Sequence, residues 1–170
     1  MRILLVPALA FLFSSSGLQA DPLPVGASAP DITATNEKGM PVHFADVYAK
    51  GTTLVYFYPK AGTPGCTAEA CSLRDSYAKL QGEGLQIIGV SRDAVDSQKK
   101  FQDQYRLPFT LIADRDGKVA GAFGVPMMGL LPIASRQSFI VKNGKIAWTS
   151  IHAKTKGSAE EVQTALDHLD

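Results

Sequence analysis

Apolar and polar positions along the chain mark out strands first. Residues 54–58 form an unbroken run of β-branched and aromatic side chains, the composition of a strand buried on both faces, and 85–90 and 108–113 repeat it. Residues 137–141 and 145–151 instead alternate around Asn143 and Gly144, the strongest short hairpin signal in the chain. A smaller hairpin is expected where 32–35 and 42–44 flank the turn from Asn36 to Gly39.

Helical spacing falls between the strands. Ala70, Leu73, Tyr77 and Leu80 predict one helix over about 63–81, ended by Gly82 and Gly84, with Arg74, Asp75 and Lys79 mostly on its solvent side. Ala94, Gln98, Phe101 and Tyr105 predict a packing helix, and a short helical piece at 118–123 follows the turn at 114–117. Val162, Ala165, Leu166 and Leu169 give a last helix one apolar face, and Ser158 with Glu161 reads as its capping box. The order predicts an α/β fold, a mixed sheet covered on both faces by helices and preceded by an N-terminal hairpin, which is compatible with a thioredoxin-like fold.

Two apolar stretches stand outside this pattern. Residues 127–135 have no period and contain Gly129 and Pro132, so they read as a loop. Its Met127, Met128, Leu130 and Leu131 either form an exposed collar for a partner protein or organic peroxide, or fold back onto the core. Residues 1–20 hold a single Arg2, an apolar run through Phe13 and small polar residues up to Ala20. That reads as a secretory signal, which places the protein outside the cytoplasm, in a bacterial periplasm, and leaves 21–170 as one domain. The whole chain has 17 basic and 16 acidic residues, the two are equal at 16 without Arg2, and no basic run offers nucleic acid or an anionic membrane a footprint. No later stretch approaches the length of a membrane span.

The chemistry concentrates at residues 56–71, YFYPKAGTPGCTAEAC. Thr63 reads as a helix N-cap and Pro64 as the first helical residue, so Cys66 lies in the first turn, where unpaired N–H groups and the helix dipole favour a thiolate. Cys71 follows five residues later. In a regular helix that separates their Cα atoms by about 9 Å and about 140°, whereas a disulfide needs about 7 Å or less. The two thiols cannot bond while the helix is intact. A structural disulfide is also poorly motivated, since closing so small a loop constrains the unfolded chain by only ~2 kcal/mol.

Pro59, Thr63 and Cys66 together form a Pro-x-x-x-Thr-x-x-Cys motif that resembles the active-site stretch of peroxiredoxins. The longer string, with Cys71 five residues on and Leu73-Arg74-Asp75 after it, is similar to the Q-type, or bacterioferritin-comigratory, branch. The likeness extends to 87–91, 107–114, 123–125 and Arg136 ahead of 138–146. It implies a thioredoxin-like peroxiredoxin fold and an enzyme without cofactor or metal that reduces hydrogen peroxide and organic hydroperoxides. By the same resemblance Cys66 is the nucleophile, and Cys71 resolves its sulfenic acid to a Cys66–Cys71 disulfide, which a thioredoxin-like dithiol reduces. Thr63 supplies a hydroxyl and Pro59 shields the pocket. Spacing alone does not pick the cation among Arg74, Arg92, Arg106, Arg115 and Arg136; the family pattern points to Arg136. The Q-type branch also implies a monomer.

Two other classes compete. A thioredoxin-like thiol-disulfide oxidoreductase wants Cys-x-x-Cys, and here four residues separate the cysteines. A copper-delivery protein wants two close cysteines and a loop histidine; His152 is the candidate, with His43 expected in a strand and His168 on the last helix.

Overall fold

The computed structural model describes residues 21–169, so the expected signal at 1–20 lies outside the described residues. The chain opens with a hairpin of β1 (Thr33–Thr35) and β2 (Pro41–His43), paired antiparallel as Thr33 with His43. Its turn is held by the Asn36 side chain, whose Oδ1 accepts from the backbone N–H groups of Lys38 and Met40, both at 2.9 Å. Phe44 does not extend the hairpin as expected. It starts a five-residue helix, α1 (Phe44–Tyr48), and its buried ring meets Phe123.

The main sheet follows the alternating pattern. β3 (Thr53–Phe57) is buried at every position and lies at the centre, parallel to β4 (Gln86–Ser91) and antiparallel to β6 (Gln137–Lys142). β5 (Thr110–Ala113) adds parallel to β4, and β7 (Lys145–Ser150) adds antiparallel to β6, giving the order β5-β4-β3-β6-β7. The β6–β7 turn has Asn143 at φ 54° and Gly144 at φ 70°, the two positive values that the hairpin signal requires. One face carries Leu54, Tyr56, Tyr58 and Ile140 against α2 (Pro64–Asp75), α4 (Val95–Tyr105) and α6 (Ser158–Asp167). The other carries Val55, Phe57, Phe139 and Val141 against α1 and α5 (Lys118–Ala122). Burial on both faces is why residues 54–58 are apolar without alternation.

Three expectations about the helices are corrected. The helix expected over 63–81 breaks at Ser76 (φ −100°, ψ 3°), and α3 (Tyr77–Gly82) continues separately, its Tyr77 ring 6.0 Å from Phe109 while Leu80 enters the core. Arg74 is only partly on the solvent side. It is half-buried, donating through Nη1 to the Tyr105 carbonyl at 2.8 Å and pairing with Asp75 at 2.7 Å. The Ser158 capping box does not form, because Gly157 at φ 76° is the N-cap and Glu161 is engaged elsewhere, accepting from Ser150 Oγ at 2.8 Å and the Lys154 N–H at 2.9 Å.

Residues 127–135 are a loop, as read. Met127 bridges Ala134 and packs on the core beneath Arg92, whereas Met128, Leu130 and Leu131 point outward. Met128, Leu130 and Leu131 thus have the exposure of the collar reading, and Met127 folds back onto the core.

Both borders of the sheet are occupied by other parts of the chain. At β5, Asn36 bridges Ile112, the Glu37 N–H donates to the Leu111 carbonyl at 2.9 Å, and the Leu111 N–H returns a bond to Glu37 Oε2 at 3.0 Å. At β7, a strap over residues 23–29 exchanges backbone bonds with Ile146 and Gly144, and Ser28 bridges Lys145. The strap starts where Asp21 crosses Gly124 (φ 68°), so closely that a Cβ there would lie 1.9 Å from the Asp21 carbonyl oxygen.

Candidate active site

The site forms where β3 ends. The Tyr58 N–H still donates to the Val90 carbonyl at 3.1 Å, and Pro59 then turns the chain out of the sheet. The loop is tied to the end of β4 by Asp93, whose Oδ2 accepts from the Ala61 N–H at 2.8 Å and from Ser91 Oγ at 2.7 Å. Gln98 continues the network beneath it, donating to Ser91 Oγ at 2.9 Å and to the Ile112 carbonyl at 2.7 Å, and accepting from the Tyr58 hydroxyl. This buried scaffold fixes where α2 begins.

Thr63 is the N-cap of α2 and Pro64 its first residue, as the sequence predicts. The Thr63 side chain does not cap the helix, however. Its Oγ1 donates to the Lys60 carbonyl at 3.0 Å. Cys66 is the third residue of the helix, so it and Gly65 contribute first-turn N–H groups that have no partner within the helix. Its thiol is 1% exposed, and both cysteines are free. Cys71 is half-buried on the same unbroken helix, so the separation of about 9 Å expected from helix geometry holds.

Among the five candidate arginines, Arg136 is the one that reaches Cys66: Nη2 donates to the sulfur at 3.3 Å. It comes from the residue just before β6, across the end of the sheet. Arg74, by contrast, is held by Asp75 and the Tyr105 carbonyl, and Arg92 donates to the Arg115 carbonyl at 2.7 and 3.2 Å. The guanidinium passes close over the first turn: a Cβ at Gly65 would sit in ordinary contact with Thr155 Cγ2 at 3.4 Å and Arg136 Nη2 at 3.5 Å.

The other edge of the guanidinium is taken by a residue that the sequence reading passed over. Arg136 Nη1 pairs with Glu69 Oε2, and the Glu69 side chain is fully buried. Burial pushes the Glu69 carboxyl up to about 8, against the lowering pull of Arg136. Burial works against the Arg136 charge, but Glu69 and Cys66 outweigh it and hold its pKa above the ordinary value. The signal for Glu69 was its spacing: three residues after Cys66 and four before Leu73, it lies on the core face of α2, where an acidic residue needs a partner.

The arrangement is a buried thiol at a helix N-terminus with a fixed cation on its sulfur and the cation locked from behind. Pro59 and Arg136 also form one side of a cavity of about 690 Å³. His152 lines this cavity as well, while His43 contacts Asp31 at 2.8 Å and His168 donates to the Thr164 carbonyl at 2.7 Å. Among the described residues no group of three or more His, Cys, Asp and Glu side chains is placed to hold a metal ion.

Comparison with known proteins gives this geometry its context. The model of the AhpC/TSA family matches residues 25–149. The chloroplastic peroxiredoxin Q of Sedum lineare is 40% identical over 124 residues, covering 71% of this chain and 65% of that protein, so the chain spans about 65% of its relative's length. Among solved structures, the peroxidoxin BcpB of Mycobacterium tuberculosis superposes with a TM-score of 0.80 at 28% identity, covering 86% of this chain and 97% of that one. The bacterioferritin comigratory protein of Xanthomonas campestris, studied for alkyl peroxide reduction, superposes with a TM-score of 0.78 at 25% identity, covering 86% of this chain and all of that one (100%).

These relatives overturn one expectation. The Sedum protein and those of Oryza sativa and Arabidopsis thaliana are chloroplastic, which contradicts placement in a bacterial periplasm. The physical reason is that an apolar N-terminal stretch free of acidic residues, the feature read at 1–20, is common to more than one kind of targeting segment and does not single out export. The thioredoxin-like peroxiredoxin fold, in contrast, stands, and with the matched motif it identifies the chain as a member of the AhpC/TSA family, in its Q-type peroxiredoxin branch.

Proposed function

We propose that the protein is a thiol peroxidase that reduces hydrogen peroxide and organic hydroperoxides. The observation that carries this reading is the 3.3 Å contact from Arg136 Nη2 to the Cys66 sulfur at the N-terminus of α2. A thiolate there is stabilised by the guanidinium and by the first-turn N–H groups, and the same donors face the negative charge that develops as the O–O bond breaks. Cys66 attacks the terminal peroxide oxygen, the alkoxide leaves and takes a proton as alcohol or water, and the sulfur is left as sulfenic acid. Thr63 adds a hydroxyl at the helix start, and Pro59 limits the access of water.

Cys71 then attacks the sulfenic sulfur and releases water, which forms the Cys66–Cys71 disulfide. A thioredoxin-like dithiol reduces that bond by exchange and returns both thiols. The likeness to a protein studied for alkyl peroxide reduction supports the organic arm of the activity. A monomer suffices for this cycle, because both cysteines lie on one helix of one chain. The spacing of the cysteines argues against a protein-disulfide oxidoreductase.

Stopped-flow oxidation of the reduced protein by hydrogen peroxide and by cumene hydroperoxide tests the reading. One equivalent of either peroxide should be consumed rapidly with loss of two thiols. Thiol loss no faster than that of free cysteine would refute it.

A further inference from the structure

The cavity beside Arg136 is much larger than hydrogen peroxide needs. At about 690 Å³ it lies in the range of sites that enclose drug-sized ligands, and Pro22, Pro59, Pro126, Met128 and Ile151 give it a mainly apolar wall. Into that wall is set one buried amide. Gln137, the first residue of β6, is 3% exposed and lines the cavity, and its Oε1 is enclosed with no hydrogen-bond partner among the described residues. A buried amide oxygen without a partner is costly, and strand pairing with Phe57 holds the Gln137 backbone in place. Because the two ends of the amide can exchange by rotation, the group offers the cavity both an acceptor and a donor.

Strand geometry explains why Gln137 faces away from the thiol. Arg136 reaches across to Cys66 and Glu69 on the α2 side of the sheet, and Gln137 falls on the face shared by Phe139 and Val141. Arg136 and Gln137 nevertheless line the same cavity, so the organic part of a hydroperoxide whose reacting end is at Arg136 has Gln137 within the wall it can extend along. We propose that Gln137 is a specificity-determining residue of this site and selects organic hydroperoxides whose apolar body carries a hydroxyl or amide group over alkyl hydroperoxides of the same shape. The inference rests on the peroxidase reading above. The organic group is unchanged in the reaction, so Gln137 acts on binding, and the preference lies in KM rather than in kcat.

A matched pair of substrates tests it: para-isopropyl cumene hydroperoxide and its para-(2-hydroxypropan-2-yl) counterpart, which differ by one hydroxyl. The wild-type protein should favour the hydroxylated compound in kcat/KM by roughly three- to tenfold, the scale of one neutral hydrogen bond. Gln137→Leu and Gln137→Met should bring the ratio to one or below. The ratio is read within each variant, so any loss of folded enzyme cancels. An amide-bearing peptide hydroperoxide in a third arm shows which polar group is favoured. Equal kcat/KM for the pair in the wild type overturns the proposal, as does a preference that survives both substitutions. In either case turnover of hydrogen peroxide leaves the peroxidase reading standing. Failure to turn over hydrogen peroxide at all sinks both.

Discussion

Glu69 and Arg136 are paired beneath the first turns of α2, with the Glu69 side chain 0% and the Arg136 side chain 18% exposed. The pairing leaves one face of the guanidinium for Cys66, so the reacting sulfur and a buried carboxylate share a single cation. Removing either partner therefore has two effects, one on the thiolate and one on the interior.

Arg136→Met should slow oxidation of Cys66 by at least tenfold, because the sulfur and the developing alkoxide lose their fixed donor. The same change removes the partner that Glu69 has in the interior, so unfolding in urea should show a loss of stability that grows as pH rises toward 8, where the carboxyl is held neutral against the solvent. Arg136→Lys should restore rate only partly, since it returns charge without the planar fork that serves Glu69 and Cys66 together. Arg74→Met should leave the first oxidation unchanged, because Arg74 is committed to Asp75 and Tyr105. Equal slowing by the Arg74 and Arg136 substitutions in stopped-flow would contradict this assignment.

Glu69 should make stability depend on pH. Its carboxyl titrates at about 8 in the folded protein against an ordinary 4.5, so the folded state holds the proton more tightly than the unfolded one. The contribution is fully present below about pH 4.5 and is lost as pH rises toward 8, at no more than about 1.4 kcal/mol per pH unit. Glu69→Gln should flatten that decline while keeping an acceptor for Arg136. Urea midpoints measured at half-unit steps from pH 5 to 8 give the comparison, and parallel slopes in the two proteins would rule out Glu69 as the source.

The cysteines should divide their work. Cys66→Ser should abolish peroxide reduction, whereas Cys71→Ser should consume one equivalent and stop as a sulfenic acid that a carbon nucleophile traps. Mass spectrometry of the trapped adduct locates the oxidised sulfur. An adduct on Cys71 in the wild type, or none in Cys71→Ser, would reverse or remove the roles.

Forming the disulfide should unwind the start of α2. Cys66 is buried and lies about 9 Å from Cys71 in an intact helix, so bonding forfeits several helical hydrogen bonds at about 1 kcal/mol each. Hydrogen exchange on the oxidised protein should show faster exchange at amides of about 66–73, with β3 and β6 still protected. An oxidised helix as protected as the reduced one would mean that Cys71 is not the partner.

How far the sequence speaks depends on whether a residue acts through local pattern or through distant contacts. β3 was legible because a strand buried on both faces leaves a continuous apolar run, and the β6–β7 hairpin because Asn143 and Gly144 favour its turn. Cys66 was legible because Thr63 and Pro64 mark the helix start within three residues of it. Glu69 was legible only as an acidic residue at a core-face position; the partner that explains it is 67 positions away, beyond any local pattern. The break at Ser76 was hidden for a similar reason: Tyr77 and Leu80 keep the helical period while the chain turns. The capping box at Ser158 failed because a motif competes with whatever else its glutamate can reach, here Ser150 and the Lys154 amide.

The strap over residues 23–29 bears on colloidal behaviour as well as on the fold. It occupies the outward backbone groups of β7 near Lys145 and Ile146, as the first hairpin does for β5, so the sheet presents no long bare border there to a neighbouring chain. Its attachment depends on few bonds and on the glycine at 124 that lets Asp21 cross. Peeling the strap away would open a template for strand addition while the core is still folded. Early aggregation on heating should therefore begin at this margin, and resistance to it is tuned by a segment that touches neither cysteine.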